Sequence, residues 1–162
     1  MKRRTQRSTL FPYTTLFRSA KAIGTIAQKK NQKKFIVGRD GRISSPELNQ
    51  VLIDGLLSTG RDVIDIGIVP TPVAYFASHH LKTNNCVMIT GSHNALEYNG
   101  LKTVIAGKSL FTDGIEEIKK YVISKEYEVG QGILEYADIS SDYIHRISDD
   151  INFSAGRLPK IV

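Results

Sequence analysis

Residues 34–72 read KFIVGRDGRISSPELNQVLIDGLLSTGRDVIDIGIVPTP, and the order of their apolar runs decides the fold class. Phe35-Ile36-Val37 is a short continuous apolar run ending at Gly38, the pattern of a strand buried on both faces. Gly38-Arg39-Asp40-Gly41-Arg42 follows as a loop with two flexible backbone positions. Ser45-Pro46-Glu47 starts a helix, because serine caps free amides while proline in the first turn loses no hydrogen bond and presets φ. Leu48, Val51, Leu52, Gly55 and Leu56 fall on one face of that helix, and Gly60 is placed to end it in the left-handed conformation. Asp62 to Gly67 is a second strand, and Thr71-Pro72 repeats the start signal for a helix to about His80.

The same alternation continues on both sides. Cys86 to Ile89 is a third strand running into Thr90-Gly91-Ser92-His93-Asn94, and Leu101 to Ile105 a fourth, turning at Ala106-Gly107-Lys108. Thr112-Asp113 caps a helix through about Ile123, with Glu116 placed for a capping box, and Ser140-Ser141 caps another through about Asp150. Asn152 to Pro159 reads as a linker, and Lys160-Ile161-Val162 as the start of a further strand. Upstream, Ala20 to Lys30 carries apolar residues at 22, 23, 26 and 27, a helical spacing. Short connections between alternating elements imply an α/β layered domain with a mainly parallel mixed sheet flanked by helices, and functional loops at the carboxyl ends of strands. With 162 residues, 41% of them hydrophobic, the chain can bury one sizeable core.

A formal charge of +6 would ordinarily point to nucleic acid or an anionic membrane. Residues 1–19, however, hold Lys2, Arg3, Arg4, Arg7 and Arg18 and no acid, which leaves 17 basic and 16 acidic groups beyond them. The bulk of the chain is nearly neutral, so neither nucleic acid nor membrane is expected as a partner. The single Cys86 lies in an apolar run and behaves as a small hydrophobe, which suits a reducing cytoplasm. A dinucleotide fingerprint and a P-loop are both absent, and His79, His80, His93 and His145 show no ligand spacing beyond the adjacent pair.

Ser92 stands directly after a buried strand, where ligands bind in α/β sheets. Gly91 lets the backbone approach a charged group closely, and the neighbouring amides, the His93 imidazole and the Asn94 carboxamide can donate to a phosphate. The alternative is a simple turn whose serine and asparagine satisfy local backbone groups. A Ser-His-acid hydrolase is disfavoured, since adjacent loop residues point in different directions and no nucleophile elbow is present.

Four motifs, GRDGR at 38–42, VPTP at 69–72, TGSHN at 90–94 and YNGLK at 98–102, occur in an order and spacing that resembles the α-D-phosphohexomutases, most of all their phosphomannomutase/phosphoglucomutase branch. The resemblance runs from about Ala20 to Val162 and covers the first domain of such an enzyme. It implies that Ser92 is phosphorylated at rest and exchanges its phosphoryl group with a hexose monophosphate through a 1,6-bisphosphate. It implies one Mg²⁺ on the phosphoserine oxygen, His93 contacting the phosphate, and Lys102, on the same side of the sheet as Ser92, orienting or helping deprotonate the sugar hydroxyl. Thr90, Gly91, Asn94 and Asn99 would shape the phosphate loop. Arg39 and Arg42 either pair with Asp40 or Glu47 or support that loop. A phosphoglucosamine mutase fragment is the second choice, and a non-catalytic α/β interaction module the rival from another class.

Two departures from the family pattern matter. Ala95 replaces the proline that follows Ser-His-Asn, which removes a rigid φ. The family's first strand, with its Tyr-Asp-Ile-Arg-Gly motif, should precede Ala20, yet TLFPYTTLFRS at 9–19 is similar to the in-frame translation of a widely used sequencing adapter. The expectation is a non-native segment at 1–19 standing outside the core, a domain at 20–150 lacking its first strand, and at 151–162 a linker and the start of a second domain. The metal loop, sugar loop and substrate-phosphate loop of the family belong to later domains.

Overall fold

The structure is a computed structural model, and it describes residues 13–151. Five helices and six strands follow in the order α1 (Tyr13–Lys29), β1 (Lys34–Arg39), α2 (Ser45–Leu57), β2 (Asp62–Ile68), α3 (Thr71–His80), β3 (Cys86–Ile89), β4 (Leu101–Ile105), β5 (Lys108–Ser109), α4 (Asp113–Ser124), β6 (Leu134–Tyr136) and α5 (Ser140–Asp150). The strands form one sheet in the order β5-β4-β3-β1-β2-β6. β3, β1, β2 and β6 run parallel, while β4 and β5 are antiparallel additions at one edge. The expected mainly parallel mixed sheet is therefore the observed one.

Alternation along the central strand builds three layers. Phe35 and Val37 of β1 enter a core with Ile23 and Ile26 of α1, Leu52 and Leu56 of α2, and Tyr121 of α4. Ile36 faces the other way, into a core with Val73, Ala74 and Ala77 of α3, Cys86 and Met88 of β3, and Ile139. Burial of β1 on both faces explains its unbroken apolar run.

The first helix departs from expectation. It was expected from Ala20, and it begins at Tyr13, so residues 13–19 belong to the packed structure. Leu16 is buried with Ala20 and Ile23, which continues the helical spacing upstream. The Tyr13 hydroxyl donates to the Glu47 carboxylate. The Phe17 carbonyl and Ala20 lie so close to Gly55 of α2 that a Cβ there would sit 2.9 Å and 2.4 Å from them. Residues 1–12, the rest of the segment expected to lie outside the core, fall outside the described residues, as do the linker and strand expected from Asn152 onward. Leu16→Ala is expected to lower the unfolding free energy by about 2 to 5 kcal/mol, as for other buried leucines. Urea denaturation checks this, and a loss below about 0.5 kcal/mol, the scale of a surface change, would show that these turns are not attached to the core.

The N-capping expectations fail in an instructive way. Ser44, Pro70, Thr112 and Ile139 occupy the N-cap positions, and none caps through a side chain; Thr112 takes φ 39°, so no capping box forms at Glu116. The C-terminal expectation is met: beyond Ser58, whose hydroxyl donates to Gly55 O, Gly60 takes φ 77°, its amide donates to Leu57 O at 2.9 Å and the Arg61 amide to Leu56 O at 3.3 Å, so a left-handed glycine closes α2.

Candidate active site

Chain reversal locates the site. From β1 the chain moves to β2 on one side, then returns to place β3 on the other, so β1 and β3 are parallel neighbours whose connections leave in opposite directions. Such a switch point leaves a crevice at the carboxyl ends of the two strands. The loops that leave β1 and β3 there are 40–44 and 90–100, and they carry all the candidate residues but Arg39 and Lys102, which stand on β1 and β4.

Asp40 joins them. Its amide donates to Ile89 O at 2.9 Å. One carboxylate oxygen accepts from the Ser45 hydroxyl at 2.6 Å and the Arg42 amide at 3.2 Å, the other from Arg42 Nε at 3.0 Å and the Gly91 amide at 3.1 Å. Desolvation pushes the Asp40 carboxyl up, but the hydrogen bonds from Ser45, Arg42, Gly91 and Thr90 outweigh it and hold the group below its ordinary value. Ser45, expected as a cap, spends its hydroxyl here.

Arg42 lies flat over Gly91, where a Cβ would be 2.2 Å from the guanidinium carbon. Its Nη1 donates to Ala95 O at 2.6 Å, and its Nη2 to Asn94 O at 2.9 Å and Ser92 O at 3.3 Å. Arg42 thus bonds both to Asp40 and to the backbone of residues 92–95. Arg39, half-buried at the end of β1, has no ion-pair partner among the described residues, so its expected pairing with Asp40 or Glu47 is not formed. Glu47 is engaged by Tyr13 instead.

The loop itself is a tight turn with Asn94 N donating to Gly91 O at 3.0 Å. Ser92 sits in it at φ 53°, exposed, with its amide held by the Thr90 hydroxyl at 2.9 Å. The left-handed conformation costs a serine about 1 to 3 kcal/mol and persists only where its surroundings enforce it. His93 and Asn94 are exposed beside it. Asn99 accepts from the Ser44 hydroxyl at 3.2 Å, a second link between the two loops. Thr90 N donates to Gly100 O, which brings the start of β4 against the end of β3. Lys102, exposed on β4 opposite Met88, lies at the same end of the sheet as Ser92 and on the α3 face.

Sequence reasoning noticed Asp40 only as a partner for arginine and missed it as the hub. The available signal was Asp-Gly-Arg itself, since aspartate readily accepts the amide two residues on. Also missed was a cleft of about 220 Å³ lined by Leu16, Ile23, Leu48, Leu101, Leu110 and Ile118, among others, which borders Asn99 and Gly100.

An α/β/α domain with a polar, loop-borne serine at its switch point is the class that fold and site define. The matching family model is described as phosphoglucomutase/phosphomannomutase, alpha/beta/alpha domain I, and it matches residues 3–129, a span that includes 9–19. This chain belongs to that family. It is 41% identical over 137 residues to a phosphomannomutase/phosphoglucomutase of Pseudomonas aeruginosa, covering 85% of this chain and 30% of that protein. With a phosphoglucomutase/phosphomannomutase of Thermococcus kodakarensis it is 36% identical over 143 residues, covering 83% and 31%. A crystal structure of a phosphoglucomutase/phosphomannomutase family protein from Burkholderia thailandensis superposes with a TM-score of 0.83 at 35% identity, over 88% of this chain and 33% of that one. The chain thus spans about 30% of the length of the curated relatives it matches.

Proposed function

We propose that the chain is the phosphoryl-carrying domain of an enzyme that interconverts hexose 1-phosphate and hexose 6-phosphate, with mannose and glucose phosphates as substrates. The observation that carries this reading is the exposed Ser92, held in a left-handed turn at the switch point between two loops that Asp40 and Arg42 lock together. A serine phosphate ester is stable until aligned donors offset the charge of transfer, so the carrier must be both presented and held.

Starting from phospho-Ser92, the P–O bond to Oγ breaks as the phosphorus bonds to a free hydroxyl of the hexose monophosphate, and that hydroxyl's proton leaves to a base. The product is a hexose 1,6-bisphosphate. It turns round, and its other phosphoryl group returns to Ser92 Oγ, releasing the isomeric monophosphate. Lys102 orients the attacking hydroxyl and assists removal of its proton, and His93 contacts the phosphate. Thr90, Gly91, Asn94 and Asn99 set the shape of the loop, and Arg39 backs it from the end of β1.

Mg²⁺ is proposed as cofactor, with the phosphate on Ser92 as this chain's contribution. It would neutralise charge on the transferring group. The described residues hold no group of three or more metal-ligating side chains, and both Asp40 oxygens are taken, so the described residues alone do not form a cation site. The remaining ligands are assigned to residues beyond it, in the further domains that its relatives' length leaves room for. Exposed Ile144 and Ile147 of α5, with Ile151 just beyond its end, suit such a neighbour.

No helix among the described residues is long and apolar enough to cross a membrane. Burial pushes the Cys86 thiol up to about 12, so it is inert, in keeping with the cytoplasmic location we propose. The domain is assigned to residues 13–150, since the helical turns at 13–19, expected as part of a non-native segment, pack into its core.

A coupled assay of glucose 1-phosphate conversion to glucose 6-phosphate, with a hexose 1,6-bisphosphate activator, tests the reading. The 162-residue chain is expected to show no turnover, and the chain extended to its relatives' full length to show turnover of about 1 to 10³ per second, the ordinary enzyme range. An extended enzyme inert toward both glucose and mannose phosphates would overturn the assignment.

A further inference from the structure

Four of the five N–H donors that an arginine carries are committed at Arg42, one to Asp40 and three to the carbonyls of Ser92, Asn94 and Ala95. The side chain is only 10% exposed. It is therefore poorly placed to bind substrate directly, and whatever it does, it does through the loop.

In a trans peptide the C=O and the following N–H point in opposite directions. Every peptide among the described residues is trans. Drawing the carbonyls of Ser92, Asn94 and Ala95 toward Arg42 must turn the amides of His93, Ala95 and Leu96 away from it. Those three amides meet no protein acceptor among the described residues, and their residues are exposed. The adjacent amides of Ser92 and Asn94 are already used, by Thr90 and Gly91.

We propose that Arg42 is a positioning residue that converts the 92–96 loop into an anion cradle: by holding three carbonyl oxygens it removes their negative ends from the exposed side and leaves three amides there as donors to a phosphoryl group on Ser92. This rests on the reading of Ser92 as the phosphoryl carrier. Successive amides converging on one anion are a recurrent phosphate-binding device, and fixed donors cost no reorganisation when the group is transferred. A lysine at 42 would keep the charge but not the planar fork that reaches several acceptors at once.

The direct test introduces phosphoserine at 92 co-translationally and compares amide proton resonances with those of the unphosphorylated chain. The comparison is made at about pH 7.5, above the phosphate's second pKa of about 6. The amides of His93, Ala95 and Leu96 should move downfield together, those of Val37 and Val87 in the strands should not, and Arg42→Lys should abolish the downfield movement. Unmoved amides in the phosphorylated chain with Arg42 intact would overturn the proposal, even if the lysine variant failed to fold. Downfield shifts that survive Arg42→Lys would overturn it too, since charge alone would then suffice. In the extended enzyme, Arg42→Lys should lower kcat about 10²-fold with little change in KM, as for a displaced reacting group. A fully active lysine variant beside an inactive Ser92→Ala would sink the role of Arg42 and leave the carrier in place. An active Ser92→Ala would sink the carrier whatever the amides do.

Discussion

In the full-length enzyme, Ser92→Ala is expected to remove essentially all conversion of glucose 1-phosphate to glucose 6-phosphate, while Lys102→Ala leaves a measurable rate. Ser92 is the covalent carrier in this account, and without its oxygen the bisphosphate cannot form by the normal route. In the proposed mechanism Lys102 acts on a proton and on orientation, a contribution of typically about 10²- to 10⁴-fold, and it stands on a separate strand from the carrier loop. Steady-state kinetics on the two variants separates these cases. Equal losses at both positions would mean that Lys102 does more than assist proton transfer, and wild-type turnover in Ser92→Ala would remove the carrier altogether.

Gly91→Ala is expected to damage both stability and catalysis although it adds one methyl group. The new Cβ would lie 2.2 Å from Arg42 Cζ and 2.5 Å from its Nε, so the guanidinium must leave. A long side chain can swing aside at little cost where its end is free, but this end is tied to Asp40 and three loop carbonyls. Hydrogen bonds to charged groups contribute about 1.5 to 3 kcal/mol each, and part of that is recovered from water at this partly open site. A fall of about 2 kcal/mol in unfolding free energy is expected, together with a kcat loss of at least about 10²-fold from the misplaced serine. Urea denaturation of this chain and kinetics of the extended enzyme measure the two. Unchanged stability would mean that the guanidinium's grip on the loop contributes nothing to the fold.

The layered fold was legible because residues 34–105 state it twice over: each strand is an apolar run closed by glycine or a polar loop, and α2 carries a clear one-sided apolar face. The start of α1 was not legible, because the origin suggested by the residues at 9–19 counted for more than the spacing of Leu16, Ala20 and Ile23, which extends the helix regardless of where the codons came from. The N-cap of α2 was misread for a tertiary reason: Ser45 lies within reach of Asp40, and a charged acceptor outcompetes backbone amides for its hydroxyl. β5 and β6, of two and three residues, are too short to show any period. At the site, Ser92 and its loop could be found from their place after β3, but the Asp40–Arg42 linkage joins positions 40–42 to 91–95, a contact that no local pattern encodes.

The central claim is that Ser92 carries the phosphoryl group, and phosphate mapping tests it most directly. The full-length enzyme is incubated with a hexose 1,6-bisphosphate, digested, and its phosphopeptides sequenced by mass spectrometry. A single phosphate on Ser92, removed when excess glucose 6-phosphate is added, is the expected result. Phosphate on Ser58 or Ser109 instead, or a phosphate on Ser92 that hexose phosphate cannot remove, would contradict the account.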